Sequence, residues 1–117
     1  MKLEKEKMDM IKIGNKLLYR RSELELSKED LSQIFEYTPK DILLMESGNS
    51  LLKYEAEKLL ILLDIVHTFV GSKVKILSLG SKIILLTHLK EIYGDYPIER
   101  IRYLFFEGNA TLEEHAT

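Results

Sequence analysis

The chain has 117 residues, which allows one domain with an extension and a real core, though small enough to gain from a partner. It has no cysteine, so a disulfide framework and a thiolate metal site are excluded, which fits a cytoplasmic protein. A net charge of −2 excludes bulk attraction as a source of nucleic-acid affinity.

Through Lys53 there are ten basic and ten acidic residues, so any affinity for DNA there needs charges sorted onto one face. The start, Met1 to Met8, is charged in both signs and does not read as a signal peptide. The longest apolar runs, Leu59 to Leu63 and Ile83 to Leu86, are too short to span a bilayer, so no membrane partner is expected.

A first helix is predicted from Lys7 to Glu25, with Ile13, Leu17 and Leu24 on one face and Leu26 closing the turn. Two capping boxes follow. Ser27-Lys-Glu-Asp30 starts a second helix over Lys28 to Phe35. Thr38-Pro-Lys-Asp41 starts a third over Pro39 to Ser47, with proline at N1, where its missing N–H costs nothing. Gly48-Asn49 ends the third helix in the left-handed region.

A fourth helix is predicted over Lys53 to Phe69, with a buried stripe of Leu52, Ala56, Leu59, Leu60 and Leu63. From Leu59 to Val66 it is apolar nearly all round, so it needs cover on more than one side. Val74 to Leu79 fits a short strand or a loose helical turn equally well. Ser81 to Tyr93, stopped by Gly94, and Pro97 to Phe106, stopped by Gly108-Asn109, read as two more helices before a polar tail through Thr117. Leu89, Ile92, Tyr93 and Pro97 echo Leu31, Ile34, Phe35 and Pro39 at a constant offset, a likeness that such hairpins reach without duplication.

Ile13-Gly14, Arg21, Leu26-Ser27, Leu31-Ser32, Thr38-Pro39, Ile42 and Glu46-x-Gly48 stand in fixed register without a gap. In this the sequence resembles the Cro/Xre-like, lambda-repressor-like helix-turn-helix family. The resemblance implies an all-α fold, with a helix-turn-helix domain over residues 1–70 and a helical dimerisation extension over residues 71–117. It implies a small bacterial or phage transcriptional regulator, a repressor type, that binds double-stranded DNA as a homodimer. In that family the third helix enters the major groove and the second crosses the phosphate backbone. Carried over, Lys28 meets a phosphate, and Pro39, Lys40 and Leu44 face base edges with Leu43 beside them. Asn49, Ser50 and Lys53 follow where phosphate contacts are common. Arg21 and Glu46 match a pair that joins the first helix to the third by a salt bridge.

Departures from the family pattern open a second reading. Glu36 stands where the family has a left-handed glycine, a strained setting for glutamate. Leu43 and Leu44 replace polar residues and cannot read a base by hydrogen bonds. Two outward leucines also suit a protein partner, as in an antitoxin, an anti-repressor or a phage-encoded inhibitor.

His67, His88 and His115 have no metal-ligand spacing, and no nucleophile elbow or phosphate loop is present, so neither a metal, a cofactor nor an enzymatic site is expected. The aromatic group of Tyr93, Tyr96, Tyr103, Phe105 and Phe106 reads as core and dimer interface, with Tyr103, Leu104 and Phe106 in or near the interface.

Overall fold

Apolar residues at helical spacing, separated by caps and glycines, give six α-helices in the computed structural model, which describes residues 2–107. They are α1 (Lys2–Glu23), α2 (Lys28–Ile34), α3 (Pro39–Glu46), α4 (Lys53–Val70), α5 (Leu79–Tyr93) and α6 (Ile98–Arg102). No strand occurs among the described residues. Gly108-Asn109 and the polar tail lie outside the described residues.

α1 begins at Lys2 rather than Lys7, because the Lys- and Glu-rich opening contains good helix formers and no breaker. It ends with Glu25 in the left-handed region at φ 59°. The Leu26 N–H donates to Arg21 O at 3.1 Å and the Glu25 N–H to Ser22 O at 3.0 Å, the bond pair of a Schellman turn. The expected left-handed Glu36 is therefore a misplacement. Among non-glycine residues the positive φ falls on Glu25. α2 leaves through an extended Phe35 (φ −104°, ψ 162°), which needs no left-handed residue. α3 closes as the sequence suggests, with Gly48 at φ 84° and the Asn49 N–H donating to Leu44 O at 3.0 Å.

α4 is the central rod. Leu59, Ile61, Leu62, Leu63, Ile65 and Val66 are all buried. α1 and α3 cover one part of it, and α5 and α6 cover the rest. The expected all-round cover is thus supplied within the chain. Leu52 and Leu60, placed in the buried stripe by spacing, are only half-buried at its edges. One hydrophobic cluster runs from Leu17 through α4 to Leu86, Leu89, Ile98 and Ile101, crossing residue 70 without a break.

The ambiguous Val74 to Leu79 segment is a turn through Ser78, and its last residue, Leu79, opens α5. Val74 is buried, Ile76 is exposed, and Ser78 Oγ accepts the Ser81 N–H at 3.1 Å to start α5. Without a neighbouring strand, its β-branched residues have no ladder to join. The last predicted helix is shorter than expected. Pro97 stands outside it as the N-cap, and after Arg102 the backbone widens into a π turn over Tyr103–Glu107. Phe105 sets inward there, with its ring edge-on to Tyr93 (4.9 Å between centroids) and Phe69 (6.5 Å). The internal echo fails in burial as well. Leu89 and Leu31 are both buried, but Ile92 is exposed where Ile34 is buried.

Gly14 sets how closely α1 and α3 cross. A Cβ there would lie 2.5 Å from Glu46 O and 2.7 Å from Met45 O, both backbone atoms that cannot swing aside. Gly14→Ala is expected to destabilise the protein by about 3 kcal/mol, the upper end for overpacking. Urea denaturation would measure it, and an unchanged midpoint would mean that the helices can part without cost.

Candidate nucleic-acid interface

The two capping boxes that start α2 and α3 are both complete. Asp30 N–H donates to Ser27 Oγ at 3.0 Å, and Ser27 N–H donates back to Asp30 Oδ2 at 2.8 Å. Asp41 N–H donates to Thr38 Oγ1 at 3.1 Å, and Thr38 N–H to Asp41 Oδ2 at 2.9 Å. Aspartate is therefore long enough to close the box. Each pair satisfies two backbone donors, and each carboxylate is turned back onto its own helix start.

α3 buries Ile42, Met45 and Glu46 and turns outward with Lys40, Leu43 and Ser47. These outward positions are spaced i, i+3 and i+7, one face of a helix. Leu43 is 50 % exposed. Leu44, expected to face solvent beside it, is half-buried, as is Pro39. Lys28 and Lys53 are the first residues of α2 and α4, and Lys40 is the second of α3. Among the described residues none of these three lysines has an ion pair or a side-chain hydrogen bond. Asn49 is half-buried and its Oδ1 accepts the Leu51 N–H at 3.0 Å. Ser50 opens a single 3₁₀ turn, Ser50–Leu52, and its side chain lies outside the description.

Arg21 and Glu46 meet as the resemblance implies. Arg21 Nε donates to Glu46 Oε2 at 2.6 Å and its Nη2 to Oε1 at 3.1 Å, a bidentate pair. Arg21 Nη1 donates to Leu26 O at 3.0 Å, so one guanidinium joins α1, the first turn and α3. The side chains are 12 % and 5 % exposed.

Sequence reasoning missed three features around this unit. Leu51, just after α3, is 87 % exposed, and Tyr54 is exposed beside it on α4. Tyr37, in the α2–α3 turn, has its phenol pKa raised, first by burial and then by the negative charge of Glu55, Glu36 and Asp41. Two lysines of α5 also hold the N-terminal helices. Lys82, 3 % exposed, donates from Nζ to Leu24 O at 2.8 Å. Lys90 Nζ donates to Ile34 O at 2.7 Å and sits 5.7 Å from the Phe35 ring centroid. The signal for Lys82 was available, since it shares one helical face with Leu86 and Leu89.

The other singled-out residues fall elsewhere. Tyr103, Leu104 and Phe106 are exposed on the π turn. His67 Nε2 lies 3.6 Å from Glu23 Oε2, and His88 Nδ1 lies 3.9 Å from Glu91 Oε2. His115 lies outside the described residues. Among the described residues no helix is long and apolar enough to cross a membrane.

Two measurements check this site. Glu46→Ala should cost about 3–5 kcal/mol, because it leaves the Arg21 charge buried and unpaired. An unchanged melting temperature would show that the pair holds nothing. Raised above its ordinary value of 10.0, the Tyr37 phenol stays neutral while an unfolded tyrosine has begun to ionise. Stability is thus expected to fall as pH rises past that value. Ultraviolet titration of the protein against Tyr37→Phe should reveal the late phenol, and Glu55→Gln should bring it down.

No protein-family model matches the chain, and no curated protein or solved structure is significantly similar to it.

Proposed function

We propose that α2 and α3 form a helix-turn-helix of the lambda-repressor-like kind and that the chain is a sequence-specific DNA-binding regulator of bacterial or phage type, acting in the cytoplasm as a homodimer. The supporting observation is where the lysines stand. Lys28, Lys40 and Lys53 each occupy the first turn of a helix, where the backbone dipole disfavours a cation by roughly 0.3–1 kcal/mol. Each of those first turns also holds carboxylates, Glu29 and Asp30 in α2, Asp41 in α3 and Glu55 in α4, but none of the three lysines is ion-paired among the described residues. An incoming phosphate would be attracted by the lysine and by the helix start together. The nearby carboxylates of Asp30 and Asp41 are committed to their caps and oppose this less than the bare charge count suggests. On this reading Lys28, Asn49, Ser50 and Lys53 meet the backbone, and Pro39, Lys40, Leu43 and Leu44 face the bases.

A second reading, a protein-binding module on the same scaffold, has its own support. Leu43, Leu51 and Tyr54 give an apolar surface that duplex DNA does not need, and three carboxylates act on Tyr37 in the turn before α3. Binding to random duplex DNA at two salt concentrations separates the readings. A regulator should lose affinity for all sequences in Lys28→Ala and Lys53→Ala, each lowering the salt slope by about one. Lys40→Ala and Leu44→Ala should instead change which sequences are preferred, at roughly 1–3 kcal/mol for a good contact. If the natural chain binds no duplex while Leu43→Ser with Leu44→Arg does, the protein-binding reading replaces the first.

The homodimer is proposed through Tyr103, Leu104 and Phe106, exposed on the π turn after α6. Two recognition helices would then stand about 34 Å apart on a pseudo-palindrome. Sedimentation at tens of micromolar, roughly the scale of a weak dimer, should show a dimer that Tyr103→Asp with Phe106→Asp converts to monomer. A strictly monomeric natural chain would contradict it.

A further inference from the structure

We infer that the outer face of α1 is a docking surface for an acidic amphipathic helix of another protein. While α1 buries Met10, Gly14 and Leu17 inward, it exposes Met8, Ile11, Leu18 and Tyr19 by 42 % to 67 %. Met8, Ile11, Asn15 and Leu18 are spaced three, four and three residues apart, the alternation of a coiled-coil seam. Asn15 is exposed in the middle of that seam, where a polar residue costs stability but fixes register. Among the described residues Ile11 meets the turn at Gly48, and the rest of the stripe stays exposed.

Charge identifies the occupant. On a helical projection Lys7 borders one side of the seam and Lys12 the other. Both are exposed, and neither is in an ion pair among the described residues. Asp9, half-buried, is the one acidic residue between Lys7 and Arg20. A second copy would bring the same lysines to those borders, while the carboxylates of α1, Glu4, Glu6, Asp9 and Glu23, stand off them. An anionic bilayer would answer the lysines, but it is matched by a wide apolar face rather than a narrow seam interrupted by asparagine. A helix with leucines at its own seam positions and glutamates beside them satisfies both the stripe and its borders.

The seam also runs past the turn that follows α3. Ile11 lies against the turn after α3, since a Cβ on Gly48 would come within 3.2 Å of Ile11 Cγ1. That turn leads into Asn49, Ser50 and Lys53. If α3 reads DNA, which this consequence rests on, a helix seated on α1 would lie beside the phosphate contacts and compete with the duplex.

The probe is a labelled synthetic helix of about three heptads, with leucine at the seam and glutamate at the flanks. Its lysine-flanked counterpart serves as the control, and anisotropy is read against the full chain. The acidic helix should bind at least about tenfold more tightly than the lysine one. Met8→Asp with Leu18→Asp should abolish that binding while leaving the circular dichroism melt unchanged, since both residues are exposed. Lys7→Glu with Lys12→Glu should exchange the preference, so that the lysine helix now binds. Equal binding of the two helices, or none, overturns the proposal. So does flotation on phosphatidylglycerol vesicles without helix binding, or a dimer that Met8→Asp with Leu18→Asp dissolves. Helix binding without any duplex binding would sink only the DNA reading; duplex binding without helix binding would sink only this one.

Discussion

The crossing of α1 over α3 is the constraint on which the rest of the molecule depends. Gly14 lets the two backbones approach to a distance that no Cβ could share, and Arg21 spans the same crossing with a bidentate bond to Glu46. These two features act in different ways. Glycine permits the approach by absence, whereas the ion pair commits it, because either charge left alone in so buried a place would be costly. Arg21 also reaches Leu26 O, so the turn after α1 is held by the group that holds α3. α2, which starts directly after that turn, inherits its direction from the same contact.

A second set of contacts ties the C-terminal helices to this crossing. Helix ends leave carbonyls without partners. The end of α1 and the end of α2 each offer one, Leu24 O and Ile34 O, and α5 supplies a lysine to both. Lys82 is almost wholly buried in doing so, and burying an ammonium group is tolerable only because it is hydrogen-bonded and lies 3.9 Å from a Glu25 carboxylate oxygen. α5 therefore does more than cover the apolar side of α4. It fixes the helices on either side of the first turn, and a change in α5 has a direct route to the segment that presents α3.

The surface divides into regions of distinct chemistry. The outward side of α3 carries Lys40, Leu43 and Ser47; α1 carries a lysine-bordered apolar seam; the π turn carries exposed aromatics. Their proximity is uneven. The α1 seam meets the turn after α3 at Ile11 and Gly48. The π turn follows α6, which packs on α4. A partner on one region thus need not block the others, except where α1 and α3 share an edge.

What the sequence determined by itself was local. Both capping boxes, the Gly48 terminator, the six helical segments and the burial of Leu17, Leu24, Ala56, Leu59 and Leu63 follow from hydrogen bonding and periodicity within a few residues, whereas Ile13, Leu52 and Leu60, read onto the same faces, are only half-buried. The Arg21–Glu46 pair was legible only through a family resemblance, since spacing says nothing about which helices meet. Tertiary structure decided what depends on distant partners. It placed the left-handed residue at Glu25 rather than Glu36, because the Schellman bonds close there and α2 leaves in an extended path. It made Val74 to Ser78 a turn for want of a neighbouring strand, and widened the backbone after Arg102 where Phe105 meets Tyr93 and Phe69. It also buried Lys82, which charge alone would assign to the surface. A side chain's own chemistry states what it needs, and only the packed chain settles which carbonyl, carboxylate or ring is near enough to supply it.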